Sequence, residues 1–123
     1  MPTATKTRAA TPSTPRLSEV ARHLVVPEGI VTSVFSRVER RLSSVGYGFD
    51  RWQQGLGSVA LGCRSDGLYA ATIGGVVVSI PRQVGKTYTV GGLVVGLCLE
   101  FPGTRVAWTS HHNRTNTNTF RSL

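Results

Sequence analysis

Carboxylates are few in this chain. Six Asp and Glu stand against 14 Lys and Arg in 123 residues, a net charge of +8 with a sequence pI near 10.8. After Lys86 a single acid remains, Glu100, and no apolar strand-like run ends in Asp-Glu. Hydrolysis of a nucleotide needs one acid to hold Mg²⁺ and another group to orient water, and the sequence supplies neither. The opposite balance favours a polyanionic partner such as nucleic acid or a nucleotide. Twelve of the cations are Arg, whose planar fork suits phosphate. Composition alone leaves a solvated basic surface and a nucleic-acid footprint equally open.

Cysteine is scarcer still. Cys63 and Cys98 are too few and too far apart for a zinc ribbon or a disulfide framework, and fit a reduced, cytosolic setting in which they are small core residues. Long apolar runs are missing too. Met1 to Arg16 is polar and Thr/Pro-rich, unlike a signal peptide. Val90 to Leu99 falls short of the ~20 residues that span a bilayer, so no membrane partner is expected. His23, His111 and His112 build no triad with the serines, and the adjacent pair His111-His112 has no Cys, Asp or Glu near it, which favours a loop or DNA-facing role over a metal.

What is present begins with a basic Thr/Pro-rich segment, residues 1–17, that cannot bury enough apolar surface to offset ordering and reads as a disordered arm. Residues 18–49 read as a helical N-terminal segment. Ser18 caps a short helix to Leu24 with Glu19 in its first turn, and Pro27 breaks it. From Gly29 to Val45 the positions Val31, Val34, Phe35, Val38, Leu42 and Val45 mark one face of an amphipathic helix, with Arg37, Arg40 and Arg41 elsewhere. Those arginines are either a solvated face or a DNA-reading one. A second helix is predicted from Asp50 to Cys63, then a turn at Ser65-Asp66-Gly67. Two strands, Leu68 to Ile73 and Val76 to Ile80, flank Gly74-Gly75 as a hairpin.

The organising stretch follows. Val76 to Ile80 is halted by Pro81, passes through Arg82-Gln83-Val84-Gly85, and reopens at Lys86-Thr87 as an apolar helix to Glu100, stopped by Pro102-Gly103. Strand, polar turn and helix in that order converge backbone N–H groups and the positive helix end on one anion, the layout of a phosphate-binding P-loop. Lys86 reaches the β- and γ-phosphates, Thr87 serves Mg²⁺, and Gly85 lets the backbone come close. The usual first glycine is replaced by Ile80, and the alternative is a chance Gly-Lys-Thr in a turn. With Arg105 to Ser110 as the next strand, the unit is βαβ and implies a parallel sheet. The helix, apolar on nearly all faces, belongs inside a larger body.

Four stretches together carry a resemblance: Gly48-Phe49-Asp50-Arg51-Trp52-Gln53, Asp66 to Ala71, Val78 to Thr87, and Val106 to His111 with Thr115, Thr119 and Phe120. From Val26 to Leu123 the chain resembles the large terminase subunit of tailed bacteriophages, most closely those of actinobacteria. The resemblance implies an α/β fold, the N-terminal portion of a P-loop (ASCE-type) NTPase with an incomplete parallel sheet, residues 50–123 being its first part. It implies an ATPase that uses ATP and Mg²⁺ to drive viral double-stranded DNA into a capsid from the host cytoplasm. Its partners would be a small terminase subunit and the capsid portal, and its assembly a homo-oligomeric ring. In that family a Pro- or Ser-Arg-Gln-x-Gly-Lys-Thr loop replaces the standard one, which makes Ile80 expected. The resemblance assigns Pro81, Arg82, Gln83, Val84, Gly85, Lys86 and Thr87 to the nucleotide, with Arg82 sensing or stabilising the γ-phosphate beside Lys86. Trp52 and Gln53 would meet adenine, the alternative for them being helix packing and a surface amide. Thr109, His111, His112 and Arg114 fall in a region that lies near DNA or couples to it in related translocases. The family's Walker B carboxylates, coupling motif and metal-dependent nuclease have no counterpart in these residues, so the chain reads as an N-terminal fragment. A helicase-type P-loop ATPase and a non-enzymatic basic nucleic-acid-binding module are the alternatives.

Overall fold

A computed structural model describes residues 14–72, 74–81 and 84–109. Its elements in chain order are α1 (Leu17–Val20), β1 (Thr32–Ser33), α2 (Phe35–Ser43), α3 (Arg51–Ala60), β2 (Gly62–Cys63) and α4 (Lys86–Glu100). The arm expected over residues 1–17 is already engaged by its end. Thr14 accepts hydrogen bonds from Arg51 through its hydroxyl and its carbonyl, and Leu17 packs its Cβ against Gly55.

The helix expected from Gly29 begins six residues later. Its first apolar positions are taken by a different element: β1 pairs antiparallel with β2, Thr32 opposite Cys63 and Ser33 opposite Gly62, and Val31 N–H donates to the Cys63 carbonyl. Ser33 makes the changeover. Its hydroxyl accepts the Phe35 N–H at 3.2 Å and donates to the Ser58 carbonyl at 2.8 Å, satisfying one orphan donor of α2 while tying it to α3. Val31 and Val45, outside the helix, stay exposed.

α3 starts where Asp50 turns from extended to helical backbone. The side chain of Gln53, three residues on, reaches back to accept the Asp50 N–H at 2.7 Å, a capping box built from Asp-x-x-Gln. The helix ends at Ala60 because the next residues pair with β1.

The core lies between α2, α3 and α4. Phe35, Val38, Leu42, Phe49 and Leu61 are buried, with Tyr47, Tyr88, Leu93 and Leu97 against them. Full burial of a side chain such as Phe49 stabilises by about 1.5–3 kcal/mol. α4 meets this core through glycine. A Cβ on Gly92 would fall 2.5 Å from Tyr47, and one on Gly96 would overlap Val38 and come within 3.1 Å of Leu42. Close approach puts the bulky residues of α4 around the rim instead, and Val95 and Leu99 are exposed.

The parallel sheet does not occur among the described residues. The one sheet is the antiparallel pair β1–β2, extended by an isolated bridge from Cys63 to Tyr69. The tight turn is the predicted Ser65-Asp66-Gly67, and it, rather than Gly74-Gly75, folds residues 68–70 back along β2. Residues 75–80 and 104–109 form no regular hydrogen-bonded structure, and Val76 and Val77 are exposed. A Val-rich run becomes a strand only where another strand supplies hydrogen bonds, and none adjoins these residues among the described ones.

Candidate phosphate-binding loop

α4 runs from Lys86 to Glu100, the bounds its apolar run and flanking turns predicted. Its N-cap is Gly85, with φ +98°, a left-handed conformation that residues with a Cβ rarely adopt. The first helical bond runs from Thr89 N–H to the Gly85 carbonyl at 2.9 Å. The N–H groups of the first turn, which have no acceptor within a helix, therefore stand at its exposed end with the side chains of Lys86 and Thr87. No acid lies in that turn to compete for the positive end of the helix dipole.

Two anchors hold this turn. Tyr47 and Tyr88 stack with ring centroids 4.2 Å apart; the Tyr47 hydroxyl donates to the Tyr88 carbonyl, and the Tyr88 hydroxyl to the Gly48 carbonyl at 2.7 Å. Burial, with the neighbouring Tyr88 adding to it, pushes the Tyr47 hydroxyl up to about 12, so it remains a donor at neutral pH. The second anchor is Gln53, buried beneath the turn, whose amide nitrogen donates to the Thr89 hydroxyl at 2.7 Å.

The sequence expectation brought Trp52 and Gln53 to the loop, and both stand beside Gly85. A Cβ there would lie 3.2 Å from the Gln53 amide nitrogen and 4.0 Å from the Trp52 ring. Trp52 also lines a cavity of about 330 Å³ with Ile80, Pro81 and Val84, at the lower end of the range for small-molecule sites. Gln53 is neither a surface amide nor turned outward: its oxygen holds Asp50 and its nitrogen holds Thr89. Thr109 is exposed and away from regular structure. Arg82, Gln83, His111, His112 and Arg114 lie outside the described residues.

Comparison with known proteins returns no match. No family model, curated protein or solved structure is similar to the chain. For Mg²⁺ the fit is partial, since Thr87 offers one hydroxyl ligand and no group of three His, Cys, Asp or Glu is placed to hold a metal among the described residues. A divalent ion would arrive with the phosphates it neutralises.

Two of the three arginines of α2 have other work. Arg37 and Arg41 both bond Glu100 at the far end of α4, with the shortest contacts 2.6 and 2.9 Å, and Arg37 lies over the Phe101 ring at 5.0 Å from its centroid. These hydrogen bonds hold the Glu100 carboxyl below the usual carboxylate range. Among the described residues no helix is long and apolar enough to cross a membrane.

Thr89 is the residue the sequence reading missed. A signal was present: a threonine four residues after a glycine at a helix start is placed to return its hydroxyl to that glycine's carbonyl.

Proposed function

We propose that this chain is the first part of the ATPase of a viral DNA-packaging motor, resembling the large terminase subunit, and that residues 81–87 cradle the phosphates of Mg²⁺-bound ATP. The observation that carries the reading is the left-handed Gly85 at the head of a long, anchored helix, with Lys86 and Thr87 exposed on its first turn and Trp52 at its flank. The order Ile80 to Thr87, with Trp52-Gln53 upstream, supports the family half of the proposal.

In this role the first-turn N–H groups and Lys86 bind the β- and γ-phosphates, the Thr87 hydroxyl faces the ion, and Trp52 offers the base a stacking surface. Bound Mg²⁺ supplies charge neutralisation. Arg82 would sense or stabilise the γ-phosphate. Glu100 is the one acid after Lys86 and it bonds two arginines, so binding of phosphates, rather than turnover, is the activity proposed for these residues. Thr109, His111, His112 and Arg114 would lie toward double-stranded viral DNA. The small terminase subunit, the capsid portal and a homo-oligomeric ring complete the proposed setting, in the cytoplasm of a bacterial host.

The non-enzymatic DNA-binding reading is weakened by Arg37 and Arg41, which are occupied by Glu100. The test is a titration of a fluorescent ATP analogue with Mg²⁺ against the wild type and Lys86→Ala. Loss of at least tenfold in affinity is expected, about 1.4 kcal/mol. Equal affinities would remove the phosphate-loop assignment.

A further inference from the structure

The buried contact between α3 and α4 has a directionality that fixes its role. Gln53 and Thr89 are 4% and 1% exposed. The Gly85 carbonyl can only accept, so the Thr89 hydroxyl, 2.7 Å away, gives its single proton there. That hydroxyl must then accept from Gln53, which places the amide NH₂ toward Thr89 at 2.7 Å. The amide oxygen consequently faces the Asp50 N–H, itself only a donor, at 2.7 Å. Fixed partners at both ends set the amide's orientation by chemistry.

We propose that Gln53 and Thr89 are positioning residues that fix the peptide plane entering α4, and that Gln53 acts on the phosphate loop rather than on a nucleotide base. The Gly85 carbonyl receives two donors from Thr89, the backbone N–H at 2.9 Å and the hydroxyl at 2.7 Å. A peptide unit is planar and trans, so pinning that carbonyl along the helix points the Lys86 N–H the opposite way, out of the helix end. The relay thus runs from the cap of α3 through Gln53, Thr89 and Gly85 to the first N–H that an anion would meet. A base-reading amide must present its oxygen and nitrogen at the surface, whereas Gln53 is buried with one bond from each directed inside the protein. The relay rests on the reading of residues 81–87 as a phosphate cradle.

The experiment compares inorganic tripolyphosphate with ATP, each with Mg²⁺, on the full chain and on Thr89→Val, Thr89→Ser and Gln53→Met. Tripolyphosphate has no base. The relay predicts that Thr89→Val and Gln53→Met, each of which removes two buried hydrogen bonds, weaken both ligands by the same factor, about tenfold or more. Thr89→Ser, which keeps the hydroxyl, should restore both. Loss of ATP binding with tripolyphosphate unchanged would make Gln53 a base reader and overturn the proposal, as would no change in either ligand. Hydrogen exchange in the ligand-free protein separates this from the phosphate-loop reading. Faster exchange of the Thr89 amide in Gln53→Met, with Val38 in α2 unchanged, supports the relay even if the wild type binds neither ligand. Unchanged exchange at Thr89 would overturn it.

Discussion

At its C-terminal end α4 is held by charge and by shape: Glu100 bridges two arginines of α2, and Gly96 admits Val38 and Leu42 into contact with the helix backbone. At its N-terminal end the same helix is held by polar groups, Thr89 through Gln53 and Tyr88 through Gly48, while Lys86 and Thr87 face solvent. One end joins α4 to the fold and the other presents it. Backbone donors can be left outward only if something else fixes the helix, and the glycine-lined packing further along does that. Stability and binding should therefore separate along one element.

The largest effect should come from filling the packed end. Gly96→Leu places a side chain where Val38 and Leu42 already sit, and overpacking of this kind costs about 1–3 kcal/mol, here toward the upper end because the new atoms overlap Val38. Chemical denaturation should show a large loss of stability. An unchanged midpoint would break the comparison, because the core would not depend on that approach.

Gly85→Ala comes next. The φ of +98° is strained for alanine by about 1–2 kcal/mol, and the new Cβ would press on the Gln53 amide at 3.2 Å. Phosphate binding should fall more than melting temperature does. Equal loss of both would mean that the loop and the core are one unit.

The smallest effect belongs to Glu100→Gln. The carboxyl's pKa is lowered by hydrogen bonds from Arg41 and Arg37, so its contribution is present above the ordinary carboxylate value of 4.5 and is lost as pH falls through the lowered one. Wild type should exceed the variant in thermal stability by a small, constant margin at neutral pH, and the margin should vanish on acidification. ATP-analogue affinity should not move, since the change lies at the opposite end of α4.

α4 was the most legible element because its signals are local: Gly-Lys-Thr opens it, Pro102-Gly103 closes it, and the run between is apolar. The Ser65-Asp66-Gly67 turn was legible for the same reason. The start of α2 was not, because Val31 fits a helical period yet bonds to Cys63, thirty-odd residues away in sequence. Val76 to Ile80 carries strand propensity that needs a neighbour to become a strand, and propensity cannot say whether the neighbour is there. At the site, the resemblance assigned Trp52 and Gln53 to an adenine, and the structure has both beside Gly85. The residue order did not indicate that the Gln53 amide turns inward, since that depends on Thr89, whose local signal points to the Gly85 carbonyl and says nothing of an amide from another helix.

The most direct test of the account is an amide NMR titration of the full chain with a non-hydrolysable ATP analogue and Mg²⁺. Perturbations concentrated at Gly85, Lys86 and Thr87, with the α2 amides from Phe35 to Ser43 little changed, are predicted. Shifts confined to the arginine-bearing face of α2, or none at saturating ligand, would contradict the reading of this helix end as a phosphate cradle.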